Sequence, residues 1–181
     1  MPLDISLERY YLKDALKGKC HGFQTRPALL HSILFHRGLQ NVRPLQVDID
    51  PLSLSYIRID DPSLDALLTE KVSAFASLVE LSSPKGRIAL LFHEKKPKKT
   101  WFAGSNEACW EQWIFSITVR QARTERDEIE AKKRMRKDLQ AMLMRISCKT
   151  CEQMDHIPPI TSSEAFPFEV RVSLWLNHRR L

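Results

Sequence analysis

Two cysteines near the end of the chain have the spacing of a metal or redox motif. Cys148 and Cys151 are three residues apart, and His156 follows five residues later. A structural zinc site needs four ligands, normally from two such pairs, but Cys20 and His21 are adjacent and poorly spaced for a second pair. A thioredoxin-like pair would begin a helix after a strand, whereas this pair trails a predicted helix. We therefore expect reduced thiols and no metal ion.

The histidines give no catalytic group either. His21, His31 and His36 lie near the first predicted helix, without an obvious serine or cysteine nucleophile as a partner. The chain has only five glycines and contains no GxxxxGK[ST], GxGxxG, HExxH or GxSxG motif, so the common phosphate-binding loops and hydrolase motifs are absent. We predict no catalytic residue and no cofactor, and a binding or scaffold domain rather than an enzyme.

An aromatic pair beside a lysine cluster is the most informative segment. Trp101 and Phe102 follow four lysines and Pro97 in a predicted hairpin connection, and the lysines are Lys95, Lys96, Lys98 and Lys99. Large aromatic rings contribute strongly to binding when a partner supplies a pocket, and an exposed pair marks an interaction site. Two alternatives remain: the rings fold back onto their own domain, or the loop meets an anionic membrane surface.

Charge alone permits several partners. The 181 residues carry a net charge of +6, which allows contact with nucleic acid or an anionic membrane. However, acids are interleaved with the basic stretch 120–137, and no aromatic platform accompanies it. We expect no nucleic-acid binding and only weak or indirect membrane contact, and keep a basic membrane- or nucleic-acid-binding domain as the alternative function.

Hydropathy indicates the compartment. No apolar run approaches the roughly 20 residues of a membrane-spanning helix, and residues 1–11 have no apolar core of a secretory signal. At 43% hydrophobic residues the chain resembles an ordinary globular protein. We expect a cytoplasmic or nuclear protein.

The periodicity of apolar residues and the helix-capping signals predict the helices and strands that position these residues. The order of elements predicts an α+β fold, with three main helices on one face of a mostly antiparallel sheet and a long hairpin loop. About 150 residues form a typical domain, so residues 1–181 are expected to form one. The predicted helices are 27–38, 60–83 and 124–146, and the predicted strands are 1–14, 52–59, 88–92, 113–119 and 168–174.

Two tryptophans open the second strand of the hairpin. Trp110 and Trp113 are an odd number of residues apart, so regular strand geometry places their rings on opposite faces. We expect one ring in the core and the other beneath the hairpin loop.

The order of these motifs resembles the autophagy-related protein 101 family, whose members are HORMA proteins, over residues 25–175. The Trp101–Phe102 pair and the block Cys109–Trp113 are the most specific parts. The other segments that carry the resemblance are Ser32–Arg37, Tyr56–Ile59, Leu64–Leu67, Pro158–Pro159 and Ser163–Glu164.

The resemblance implies a non-enzymatic subunit of the autophagy-initiation kinase complex, located in the cytoplasm and at the phagophore assembly site. It implies pairing with the HORMA domain of autophagy-related protein 13, which the pairing stabilises. The family's exposed aromatic finger recruits downstream autophagy factors and corresponds to Trp101 and Phe102. Better-known animal members have a proline between these two residues. They also continue further after the last strand, and the short remainder 177–181 predicts an open-like, permanently docked state.

Overall fold

The computed structural model describes residues 2–8, 27–38, 42–81, 85–94, 108–120, 124–159 and 166–174. The strands within these ranges are β1 (Pro2–Glu8), β2 (Pro44–Ile49), β3 (Leu54–Ile59), β4 (Lys85–Glu94), β5 (Ala108–Arg120) and β6 (Phe168–Leu174). The helices are α1 (Ala28–Arg37), α2 (Pro62–Leu81) and α3 (Glu125–Glu152), and a short 3-10 turn (Asp50–Leu52) joins β2 to β3.

The main sheet of the described residues has the strand order β1-β5-β4-β6. Strands β5 and β6 both run antiparallel to β4, whereas β1 runs parallel to β5. Strands β2 and β3 form a separate antiparallel pair. The predicted α+β fold with a mostly antiparallel central sheet is confirmed, and it is consistent with a HORMA-like fold.

The principal core lies on one face of the main sheet. Leu90 of β4 is opposite Trp113 of β5 and Val170 of β6, and all three side chains are buried. The three helices bury residues in the same cluster, as the prediction of helices on one face required: Leu30, Ile33 and Leu34 from α1, Leu68, Phe75, Ala76 and Val79 from α2, and Met142 and Ile146 from α3.

Helices α2 and α3 begin within two residues of their predicted starts at 60 and 124. The Asp61 carboxylate accepts hydrogen bonds from the backbone N–H groups of Ser63 and Leu64, which otherwise lack partners within α2. At α3, Thr124 and Asp127 form a reciprocal capping box. The starts of both helices are therefore fixed locally.

A close contact between α2 and β4 depends on a glycine. A Cβ atom at Gly86 would lie 2.6 Å from a ring carbon of Phe75 and 3.0 Å from the carbonyl oxygen of Ser173. The first distance is too short for an added carbon and the second is tight, so glycine lets the Phe75 ring lie directly on the sheet.

A second cluster attaches the β2–β3 pair to the helices. Ile49, Leu52 and Tyr56 pack with Met135 of α3 and Ala28 of α1.

A buried polar group lies beside this cluster. Asp65 at the start of α2 is 3.3 Å from both His31 Nε2 and Arg58 Nη1. Because this carboxylate meets side chains of α1 and β3, it ties the smaller sheet to the helices.

Several sequence predictions of elements need correction. Strands β4 and β5 extend over 85–94 and 108–120 rather than 88–92 and 113–119. Strand β2 was not predicted, although Leu45, Val47 and Ile49 alternate with polar residues; Pro44 and the adjoining short turn obscured the signal. Helix α3 extends to Glu152 rather than ending near Ile146. Among the described residues, no helix is long and apolar enough to cross a membrane.

Candidate interaction site at the base of the aromatic loop

Strands β4 and β5 hold the two ends of the segment 95–107, which we call the aromatic loop. Strand β4 ends at Glu94 and β5 begins at Ala108, and these two residues are paired. The predicted contact residues lie outside the described residues, so their exposure stays a prediction: Lys95, Lys96, Lys98, Lys99, Trp101 and Phe102. What the structure describes is the base on which the loop stands.

A β-bulge interrupts the ladder at that base. Phe92 pairs with Glu111, but His93 pairs with Cys109, so Trp110 is the extra residue on β5. The Trp110 ring lies 5.4 Å from the ring of Phe92 and packs against the principal core, as Trp113 does. The prediction that the two tryptophans point to opposite faces is therefore wrong, because the bulge shifts the alternation by one residue.

The Trp110 ring stands in an aromatic cluster. Its centroid is 5.0 Å from that of Phe166, edge to face, and 5.7 Å from that of His156. Phe166 precedes β6, and His156 lies in the segment after α3. The bulge thus brings two chain segments remote in sequence against the start of β5.

Arg37 makes the most extensive polar contacts at the base of the loop. Its side chain is 2% exposed, and its Nε donates to Glu111 Oε2 at 2.6 Å. Its two terminal nitrogens donate to the backbone carbonyls of Thr150 and Gln153, each at 2.9 Å. These carbonyls belong to the end of α3, which lacks internal donors and favours a positive charge.

Glu111 completes this group. Its side chain is 10% exposed, and its Oε1 accepts a hydrogen bond from the indole N–H of Trp113 at 2.7 Å. His156 Nε2 lies 3.5 Å from Oε2, the oxygen bound by Arg37. We call Arg37, Glu111 and the Thr150 and Gln153 carbonyls the clasp, because they join the end of α1, the start of β5 and the end of α3.

Sequence reasoning did not assign a role to Arg37 or Glu111. Both lie inside segments that carry the family resemblance, Ser32–Arg37 and Cys109–Trp113. A charged residue between two tryptophans, and another ending an apolar helix, were the available signals. Their 74-residue separation gave no sign that the two meet.

The candidate chemical residues do not come together. Cys148 and Cys151 lie in the last turns of α3 rather than after it, and both are exposed and free, as is Cys109. Among the described residues, no three histidine, cysteine or acidic side chains are placed to hold a metal ion. His31 is fully buried beside Asp65, far from these thiols in the chain, and His21 lies outside the described residues.

His36 lies near a hydroxyl group. Its Nε2 lies 3.4 Å from Ser147 Oγ. Burial lowers the pKa of His36, and the neighbouring Arg37 charge lowers it further. In the unfolded chain the His36 imidazole binds a proton more readily than in the folded protein. Protonation of His36 therefore lowers the stability of the fold as the pH falls below the ordinary histidine pKa, and it has no effect on stability at higher pH.

Helices α1 and α3 differ sharply in what they present to solvent. No residue from 27 to 38 is exposed, and seven of these twelve residues are buried, so α1 presents little surface to solvent. Helix α3 exposes two large apolar side chains, Ile129 at 53% and Met144 at 63%. Between them five exposed cations outnumber two acidic residues, Glu130 and Asp138, and Glu130 is ion-paired with Lys133. The five cations are Lys132, Lys133, Arg134, Arg136 and Lys137.

Comparison with known proteins identifies relatives over most of the chain. The sequence model of the family described as autophagy-related protein 101 matches residues 4–164. Autophagy-related protein 101 of Arabidopsis thaliana is 25% identical over 190 aligned residues, covering 93% of this chain and 84% of that protein. The Schizosaccharomyces pombe protein of the same name is 27% identical, covering 79% and 75%. The Homo sapiens protein is 25% identical, covering 69% and 59%.

Proposed function

The chain belongs to the autophagy-related protein 101 family, and from this premise we propose that it is a non-enzymatic adaptor of the autophagy-initiation kinase complex. In this proposal residues 1–181 form one HORMA-like domain that pairs with the HORMA domain of autophagy-related protein 13 and stabilises it. Trp101 and Phe102 recruit downstream autophagy factors, in the cytoplasm and at the phagophore assembly site.

The construction of the loop base supports this proposal most directly. A bulge, an aromatic cluster and a buried ion pair converge where β5 begins, at the foot of the aromatic loop. A loop that served only as a connection would not need such an anchored base. A recruiting loop does, because rings held in place lose less conformational entropy when they enter a partner's pocket.

Replacing Trp101 and Phe102 together with alanine is expected to abolish recruitment and leave pairing intact. The rings would serve a partner's pocket rather than this protein's core, so the free energy of unfolding should change by less than about 0.5 kcal/mol. The variant should be expressed in cells lacking the native chain, with co-purifying proteins and autophagic flux measured after starvation. Autophagy-related protein 13 should co-purify as in the wild type, while downstream factors are lost.

A matched control tests whether charge rather than the rings matters. Replacing Lys98 and Lys99 with alanine changes the same loop and keeps both aromatic side chains. This control should retain recruitment. A fall in stability of the Trp101/Phe102 variant, or undiminished recruitment by it, contradicts the proposal; lost recruitment in the lysine control favours an anionic membrane surface instead.

The described surface favours α3 over α1 as the site of pairing. Because most of α1 is buried, it offers less surface to a partner than α3 does. Ile129 and Met144 are 15 residues apart, so on an ideal helix they lie about 22 Å apart and within about 60° of each other. The five basic residues between them exceed the two acidic ones, Glu130 and Asp138, and leave a net positive charge. Such a surface suits a partner with apolar pockets and acidic groups over the roughly 800 Å² that each side of a standard interface buries.

Replacing Ile129 and Met144 with glutamate is therefore expected to weaken pairing at least tenfold, or about 1.4 kcal/mol. The affinity of the purified chain for the HORMA domain of autophagy-related protein 13 should be measured by calorimetry. Leu78→Glu on α2 is the matched control, because that leucine is 37% exposed on another helix. A larger loss of affinity in Leu78→Glu than in the variant of Ile129 and Met144 would show that the pairing surface lies on α2.

A further inference from the structure

We propose that Arg37 and Glu111 are positioning residues that fix the direction in which the aromatic loop leaves the sheet. The functional importance of this positioning rests on the proposed function, in which the aromatic loop recruits other proteins. The inference itself concerns the geometry of the loop base and can be tested on the isolated chain.

The backbone at the loop base provides less restraint than elsewhere in the hairpin. The bulge leaves Trp110 without a ladder partner on β4, only two residues from the first residue of β5. Beyond the bulge, within the part of the hairpin that the structure describes, the pairs of His93 with Cys109 and Glu94 with Ala108 hold the strands together. Bulges bend a strand and alter its twist, so side-chain contacts must set the angle of these last residues.

The clasp supplies that restraint from both neighbouring helices. Glu111 is the first β5 residue paired after the bulge, and its carboxylate is bound by Arg37 on one oxygen and by Trp113 on the other. Arg37 in turn is bound to the two carbonyls at the end of α3. The start of β5 is thus held against two helix ends whose positions are set by the principal core.

A conservative replacement cannot reproduce this arrangement. Lysine carries one point charge on a flexible chain, so it cannot serve Glu111 and two carbonyls with the fixed fork geometry of arginine. Glutamine at position 111 offers one acceptor oxygen where Arg37 and Trp113 need two. Arg37→Lys and Glu111→Gln should therefore retain the fold and loosen the loop base selectively.

Amide hydrogen exchange of the purified full-length chain tests this inference. Residues 92–94 and 108–112 should exchange at least tenfold faster in Arg37→Lys and in Glu111→Gln than in the wild type. This acceleration should exceed that at residues 86–90 of the same hairpin at least tenfold, so that any general loss of stability is subtracted. Phe75→Leu is the control for general destabilisation, because Phe75 contacts Gly86 at the opposite end of β4.

A positioning role and a purely stabilising role of the clasp give different patterns of exchange. If the clasp merely stabilises the fold, its variants and Phe75→Leu should accelerate exchange along the whole hairpin in proportion to the loss of thermal stability. That outcome, or unchanged exchange at 92–94 and 108–112, overturns the inference. Should Glu111→Gln fail to fold, Arg37→Lys is sufficient for the test.

The exchange experiment contains no partner protein, so it separates this inference from the proposed function. Recruitment that survives in the Trp101/Phe102 variant would refute the recruiting loop and leave the exchange result standing. If exchange is not selectively faster at the loop base in Arg37→Lys and Glu111→Gln, the proposed role of the clasp is refuted. The proposed recruiting function is not affected by that result.

Discussion

Replacing Arg37 with alanine is expected to lower the free energy of unfolding by about 3–5 kcal/mol, the usual cost of removing one partner of a buried ion pair. The guanidinium is 2% exposed. Without it the Glu111 carboxylate keeps Trp113 as a donor but loses its charge partner, and the carbonyls of Thr150 and Gln153 lose theirs. Urea unfolding followed by circular dichroism measures the change.

A double-mutant cycle attributes this loss to the clasp. Glu111→Ala alone should also be strongly destabilising, because it leaves the Arg37 charge buried and unpaired. The double variant should be clearly more stable than the sum of the two single losses predicts, since neither charge then remains without a partner. Additive losses would mean that the two side chains act independently and would contradict the clasp.

Replacing Phe75 with alanine is expected to cost about 3–5 kcal/mol, because a fully buried ring is lost and a cavity remains. Phe75 is 0% exposed and belongs to the principal core. Its ring lies on the Gly86 backbone. The free energy of unfolding measured in urea should fall accordingly, with Phe75→Leu losing less because most of the volume is kept.

Gly86 provides a second test of the same contact. In the wild type Gly86→Ala should destabilise the protein, because its Cβ would lie 2.6 Å from the Phe75 ring. With Phe75 already replaced by alanine, that clash is gone, and Gly86→Ala should be neutral or stabilising. An equal loss in both backgrounds would show that the Ser173 carbonyl, rather than the ring, makes glycine necessary.

Local signals in the sequence predicted most elements correctly. Asp61 and Pro62 mark the start of α2, and Gly38 directly follows α1, because capping depends on neighbours in the chain. Strand β6 was predicted with its observed bounds from the alternation of apolar and polar residues. The short strand β2 was missed, although its alternation was visible beside Pro44.

The roles of Arg37, Glu111 and Trp110 could not be predicted in the same way. Trp110 changes face because of an extra residue in β5, and a bulge has no reliable signal in a sequence. In the sequence Arg37 is an ordinary basic residue at the end of a helix. Its contacts with Thr150 and Gln153 exist only in the folded protein, where the end of α3 packs beside it.

The sequence alone determined the class of fold, the starts of the helices and the family, and it predicts an aromatic pair as an interaction site. These features depend on residue types and on spacings between residues that are close in the chain, and both can be read before the chain folds. Only the tertiary structure decided that most of α1 is buried, that both tryptophans of the block pack on one core, and that a buried ion pair joins two helix ends to the loop base. Such contacts join residues as far as 116 positions apart, and their geometry exists only after the sheet and helices have packed.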